Sequence, residues 1–234
     1  MTFLERLRAR IRFRMMAPLR LNRFNSYNLS CSQFGEDMIV RYLLQDVRKG
    51  FYVDIGAHHP VFISNTYHFY RRGWQGINVD AMPGSMEVFR VLRARDINLE
   101  ACVDLTADQS RAFILFDSPA LNTLSEEEAQ QSVRAGLGKI IGRQSVRTTT
   151  LDAVLDAHVP PGTDISFLTI DIEGLDELIL RNHDFGRYRP RVLVFERKDI
   201  NLLSCGNDSL IAHLADQGYR LVATTGVSVI MQAT

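Results

Sequence analysis

Apolar residues along this chain recur in two patterns, and their alternation predicts the fold. One pattern is a short run that is apolar nearly throughout: GFYVDIG (50–56), GINVDA (76–81), INLEACVDL (97–105), RAFILF (111–116), ISFLTIDIEG (165–174) and RVLVFE (191–196). Such runs read as strands covered on both faces. The other pattern is helical. SQFGEDMIVRYLLQDV (32–47) spaces Met38, Ile39, Tyr42, Leu43 and Val47 along one face. SNTYHFYRRGW (64–74) reads as a helix with Ser64 or Asn65 as cap and Gly73 as stop. GSMEVFRVLRAR (84–95), TLDAVLDAHV (150–159), LDELILRN (175–182) and DSLIAHLADQG (208–218) follow the same rule. YRLVAT (219–224) and VSVIMQ (227–232) close the chain as a hairpin.

Buried strands alternating with helices specify one α/β domain, here residues 29–234, with a mostly parallel sheet covered on both faces. The last two strands are joined too tightly for a crossover, so they form an antiparallel edge. Residues 117–147 break the alternation. They hold a short helix, SEEEAQQSV, with glutamates at its positive end, and glycines at 136, 138 and 142. The segment reads either as a lid or as a surface excursion.

Charge adds a second region. Net charge is zero, which gives no reason to expect nucleic acid as a partner. Residues 1–24, however, carry seven arginines against Glu5, a local +6 that leaves −6 on the rest. Phe3, Leu4, Leu7, Ile11 and Met15 recur at helical spacing, so residues 1–28 form a basic amphipathic arm. The arm packs on its own domain or mediates self-association, or else it rests on anionic lipid as a peripheral membrane contact. Arginines break any secretory h-region, and no run has the ~20 apolar residues of a membrane span. Three scattered cysteines, Cys31, Cys102 and Cys205, argue against a disulfide framework or zinc site and fit a reducing cytoplasmic setting.

In parallel α/β sheets, ligands sit beyond the carboxyl ends of the strands. Four of those ends carry acids: Asp54, Asp80, Asp171 with Glu173, and Glu196. Clustered carboxylates cost stability unless something positive compensates them. The first loop, DIGAHHP, has Gly56 but no Gly-x-Gly-x-x-Gly turn, and no Walker loop occurs anywhere in the chain. A dinucleotide oxidoreductase is therefore disfavoured. Asp80, about 25 residues past the first strand tip, has the spacing of a ribose acid. A ligand with a ribose, positive charge and no phosphate satisfies both constraints, and S-adenosylmethionine is such a molecule.

The blocks SQFGED, FYVDIGAHHP…SNTYHFYRRGWQGINVDAMP, TLDAVL and FLTIDIEGLDELIL…RPRVLVFE resemble the FkbM family of S-adenosylmethionine-dependent methyltransferases over roughly residues 30–200. The resemblance implies a class I methyltransferase-like, Rossmann-like three-layer sandwich whose seven-stranded sheet ends in an antiparallel strand. It implies O-methylation of a hydroxyl, often on a sugar or glycoconjugate. Asp54, Gly56 and Ala57 would cradle the methionine part of the cofactor, and Asp80 the ribose. Ala81 and Met82 would flank the adenine, and Cys102 and Val103 would contact it. Asp104 would reach its amino group or serve a turn. Gln33, Glu36 and Asp37 form a polar patch near the methionine end, and Asn122 and Thr123 a polar motif near the active site. His58-His59-Pro60 stands where many class I enzymes have further glycines.

For chemistry, Asp171 and Glu173 would take the acceptor's proton or grip its hydroxyls, and His58 is the next candidate base, ahead of His59. Asp171, Glu173 and Glu196 supply oxygens a divalent metal could use, but their spacing does not require one. Two other readings remain at this stage: a non-catalytic binding module on a methyltransferase fold, and a methyltransferase acting on a non-sugar small molecule.

Overall fold

A computed structural model of the protein describes residues 28–118, 121–172, 174–197, 200 and 204–234. The chain divides into two compact units, residues 1–30 and 31–234. All but Asn28 of the expected basic arm lies outside the described residues. Among the described residues no helix is long and apolar enough to cross a membrane.

The larger unit is built on seven strands: β1 (Phe51–Ile55), β2 (Gln75–Asp80), β3 (Ile97–Glu100), β7 (Ile165–Ile170), β8 (Val192–Glu196), β9 (Tyr219–Thr224) and β10 (Ser228–Ala233). Their order is β3-β2-β1-β7-β8-β10-β9, with β10 antiparallel to both neighbours and the pairs among β1, β2, β3, β7 and β8 parallel. The expected seven-stranded α/β sheet is thus present. The closing hairpin is also present, with one difference: β10 inserts between β8 and β9, so β9 forms the edge.

Period-2 geometry explains why the strands are apolar throughout. Val53, Ile55, Leu168, Ile170, Leu193 and Phe195 face one core, which is completed by helices α5 (Leu151–His158), α6 (Asp176–Asn182) and α7 (Ser209–Asp216). The intervening Tyr52, Phe167, Val192 and Val194 face a second core with Val40 and Leu44, contributed by α1 (Glu36–Leu43) and the residue after it, and with Phe69 and Trp74. The segment 64–74 winds only one turn of helix, α2 (Tyr67–Tyr70), with the Ser64 hydroxyl accepting from Tyr67 N. Helix α3 (Met86–Leu92) follows β2.

The stretch 97–105 is not one strand. Chain pairing with β2 stops at Glu100, Ala101 N donates to the Asp80 carbonyl at 3.0 Å, and β4 (Cys102–Val103) joins a different sheet. That second sheet has the order β4-β6-β5, with β5 (Ser110–Phe116) antiparallel to the ten-residue β6 (Ile140–Thr149). Run 111–116 is therefore a strand, but of the smaller sheet. Strand β6 is concealed in the sequence because IIGRQSVRTT is mostly solvent-facing and carries Gly142. Between β5 and β6 lies α4 (Glu126–Arg134), capped by the Ser125 hydroxyl accepting from Glu128 N.

Candidate active site

The order reverses between β1 and β7, the switch point where such sheets bind ligands. Their tips cross very closely. Gly56 has φ +84, and a Cβ built there would overlap the carbonyl oxygen of Asp171. Asp171 N donates to the Ile55 carbonyl at 2.9 Å, while Gly56 N and Ala57 N donate to the Val79 carbonyl at 2.9 and 3.0 Å. Glycine is required at this point, and the crossing fixes where the following residues go.

A cavity of about 380 Å³ opens at the crossing. Of the residues singled out from sequence, Gln33, Asp54, Gly56, Ala57, His58, Asp80, Ala81, Met82, Cys102, Val103, Asn122, Thr123, Asp171 and Glu196 line it. Four others stand elsewhere. Glu36 is buried at the start of α1, where Oε1 accepts from the Thr225 and Ser228 hydroxyls and Oε2 from Phe34 N. Asp37 accepts from Cys31 N and the Ser32 hydroxyl. Asp37 holds the segment ahead of β1 together, Glu36 ties that segment to the closing hairpin, and both carboxylates lie outside the cavity lining. Asp104 accepts from Leu105 N and pairs with Arg111 at 2.6 Å, so it serves the turn into β5. His59 Nδ1 accepts from Val61 N and Phe62 N, which makes it a loop anchor. Glu173 lies outside the described residues.

Asp80 knits the strand ends together. Its Oδ2 accepts from His58 N at 2.9 Å and its Oδ1 from Met82 N at 2.8 Å. Each oxygen keeps a second lone pair for a ligand. Burial pushes its carboxyl upward, opposed by those two backbone donors. Asp54 is only 6% exposed, and its Oδ2 accepts from the Thr66 hydroxyl at 2.7 Å. Burial pushes this carboxyl up to about 6, with the Thr66 bond and the charge of Arg93 acting the other way. Both acids suit a ligand that brings positive charge.

The rest of the lining differs in chemistry. Ala101, Val103, Phe113 and Leu121 offer an apolar wall from the end of β3, from β4, from β5 and from the excursion. Burial pushes the Cys102 thiol up to about 11, so it stays a neutral part of that wall. Asn122 is locked in place, its Oδ1 accepting from Phe116 N at 2.8 Å and its Nδ2 lying 3.7 Å from Met82 Sδ. Segment 121–124 of the excursion is thus a cavity wall. Sequence reasoning missed Thr169, whose hydroxyl accepts from Asn65 Nδ2 at 2.9 Å, and Ile63, at φ +51. Arg197, next to Glu196 in the chain, pairs with Glu177 and Asp208. Among the described residues no three His, Cys, Asp or Glu side chains gather to hold a metal.

A buried and a half-buried acid beside an apolar wall, with no glycine-rich phosphate cradle, suit a cationic, phosphate-free nucleoside. No match was found among curated proteins. A TehB-like S-adenosylmethionine-dependent methyltransferase from Corynebacterium glutamicum is similar over 100% of both chains, at 11% identity and a TM-score of 0.41. Residues 54–221, most of the chain and all of the crossing just described, match the methyltransferase FkbM domain. The protein belongs to the FkbM methyltransferase family, and S-adenosylmethionine is its cofactor.

Proposed function

We propose that the enzyme O-methylates a hydroxyl of a sugar or glycoconjugate, with Asp54, Gly56, Ala57 and Gln33 around the methionine end of the cofactor and Asp80 on its ribose. Ala81, Met82, Cys102 and Val103 would border the adenine. The observation carrying this reading is that the cavity lined by Asp54 and Asp80 is also lined by Asp171, Glu196 and Asn65. Carboxylates at two strand ends and an amide on the loop ahead of α2 suit an acceptor with several hydroxyls, since each can accept from or donate to a different one. S-adenosylmethionine supplies, when bound, an electrophilic methyl group on a sulfonium.

The chain's own task is to hold an acceptor hydroxyl in line and remove its proton. Asp171 follows β7 directly, and its backbone is fixed by the bond to Ile55. It serves as the base, or as the group that orients the hydroxyl, with His58 also on the cavity lining. Orientation of reacting groups and general base catalysis are separate contributions, the second about 10²–10⁴-fold. Asp171→Asn is therefore expected to bind S-adenosylhomocysteine within about threefold of wild type while turnover falls by about 10²-fold or more. Transfer of a labelled methyl group to a panel of sugars, phenols and amines tests the acceptor class. Transfer to phenols or amines with none to sugars would replace the glycan reading by another small molecule. Binding without transfer to any panel member would favour a non-catalytic module.

Cofactor affinity should depend on pH through Asp54. Its raised carboxyl means that below about pH 6 the unliganded protein holds this group protonated, so its stabilisation is lost as pH rises from the ordinary carboxylate range through about 6. The ammonium of the cofactor's methionine end, which S-adenosylhomocysteine keeps although it lacks the sulfonium, prefers the ionised form. Binding then releases a proton, and S-adenosylhomocysteine affinity falls about tenfold per pH unit below the midpoint. Calorimetry in buffers of different ionisation enthalpy measures that proton directly, and zero proton release near pH 6 would remove Asp54 from the cofactor site.

A further inference from the structure

Behind the cavity, between the loop that carries His58 and the end of α3, sits a guanidinium that the reaction so far leaves unused. Arg93 is 0% exposed. A buried cation is tolerated only when neutralised and fully hydrogen-bonded. Its Nε donates to Asp96 Oδ2 at 2.9 Å, and Asp96 also accepts from the Tyr52 hydroxyl at 2.7 Å. Its Nη2 donates to Tyr52 Oη at 2.9 Å and Asn78 Oδ1 at 3.3 Å, and the Tyr70 ring centroid lies 4.8 Å from Cζ. These contacts would serve stability alone.

Two further contacts point towards the cavity. Nη1 donates to the Pro60 carbonyl at 3.0 Å, and Nη2 to the Thr66 hydroxyl oxygen at 3.0 Å. Pro60 and Thr66 bracket the loop whose Ile63 and Asn65 line the cavity. A threonine hydroxyl has one proton to give. With its oxygen accepting from Arg93, that proton is donated to Asp54 Oδ2 at 2.7 Å. The bonds run in one direction, from Arg93 through Thr66 to Asp54, and successive bonds in such a chain strengthen one another.

We propose that Arg93 is a positioning residue of the cofactor site: through Thr66 it keeps the Asp54 carboxylate ionised and aimed into the cavity, and through the Pro60 carbonyl it fixes the loop of His58. The inference rests on the reading of Asp54 as a cofactor-binding group. The charged groups around Asp54 are Arg93 at the end of α3, Asp80 at the tip of β2 and Asp96 ahead of β3, and the cavity adds His58, Asp171 and Glu196. Arg93 is the permanent cation in this set, and the acids outnumber it. Without it, ionisation of Asp54 is opposed by burial and by its carboxylate neighbours alike.

The test is S-adenosylhomocysteine binding from pH 5.5 to 8.5 for wild type, Thr66→Val, Thr66→Ser, Arg93→Lys and Asp54→Asn, with melting temperatures recorded for each. Valine keeps the shape of threonine and removes the hydroxyl, so the Asp54 midpoint should rise by about one pH unit. That shift reads as roughly fivefold weaker binding at pH 6, fading to no difference by pH 8.5. Thr66→Ser should restore the wild-type profile, and Arg93→Lys should move the midpoint the same way as valine, which keeps the test alive should Thr66→Val fail to fold. An equal loss at every pH, or an unmoved midpoint, would overturn the relay and leave Arg93 a structural residue. Asp54→Asn with wild-type affinity and pH profile would instead defeat the reading of Asp54 itself.

Discussion

Gly56→Ala is expected to be the most damaging single-methyl change in the cavity wall. A methyl group at this position meets the carbonyl group of Asp171, a backbone atom pair that no rotamer change can move aside, with the carbonyl carbon 2.8 Å from the added Cβ. The residue also sits at φ +84, where an L side chain costs about 1–2 kcal/mol before any clash is counted. Relief requires β1 and β7 to separate at their tips, which breaks the Asp171 N to Ile55 O bond at the centre of the sheet. The sum should be about 3–5 kcal/mol, in the range reserved for a few drastic mechanisms. Urea unfolding would measure it, together with loss of S-adenosylhomocysteine binding. A stability within about 1 kcal/mol of wild type would mean that the strand tips are not locked together as described.

Asp80→Ala should have the largest effect on cofactor affinity with little cost in stability. The two bonds it makes within the protein go to the backbone N–H groups of His58 and Met82 at the cavity rim, where water can replace the lost acceptor. What cannot be replaced, on the proposed assignment, is a carboxylate accepting from both ribose hydroxyls. Charge-assisted bonds are worth about 1.5–3 kcal/mol each, so affinity for S-adenosylhomocysteine should fall by about a hundredfold or more while the melting temperature moves only slightly. Asp80→Asn should lie between, because its amide retains one acceptor but turns an N–H towards a backbone N–H. Equal dissociation constants for Asp80→Ala and wild type would rule out the ribose assignment.

The sequence carried the sheet clearly because its strands are buried on both faces. FYVDI, ISFLTI and VLVFE leave no polar face to confuse the pattern, and the acids Asp54, Asp171 and Glu196 stand out against them. The smaller sheet was hidden for the opposite reason. Strand β6 faces solvent over most of its length, so IIGRQSVRTT looks like loop until β5 is laid beside it. The break after Glu100 was equally invisible, since ACVDL continues the apolar run while the chain changes sheets.

At the site, local reasoning located groups by strand position and failed where long-range bonds decide. Glu36 and Asp37 lie close to the cavity in sequence order, but their oxygens are engaged by Thr225 and Ser228 and by Cys31 and Ser32. Arg93 left a trace that was available: with Met86 and Phe89 it follows the i, i+3, i+7 spacing of the buried face of α3, a place where an arginine needs a reason. Its partners, drawn from Tyr52 to Asp96, are too dispersed for any motif to have gathered them. Thr66 and Thr169 are ordinary threonines until the strands are brought side by side.

The transfer of the chain from one sheet to the other at Ala101 bears on what the cofactor does for the protein that binds it. Ala101, Cys102 and Val103 belong to the changeover, and the cavity they line is shared with Phe113 of the smaller sheet, with Leu121 of the excursion that follows it, and with the strand tips of the larger sheet. A nucleoside seated there is a keystone as much as a reagent. A cofactor bound there, as proposed, would touch both sheets at once and, by binding the folded protein alone, would stabilise their association against unfolding.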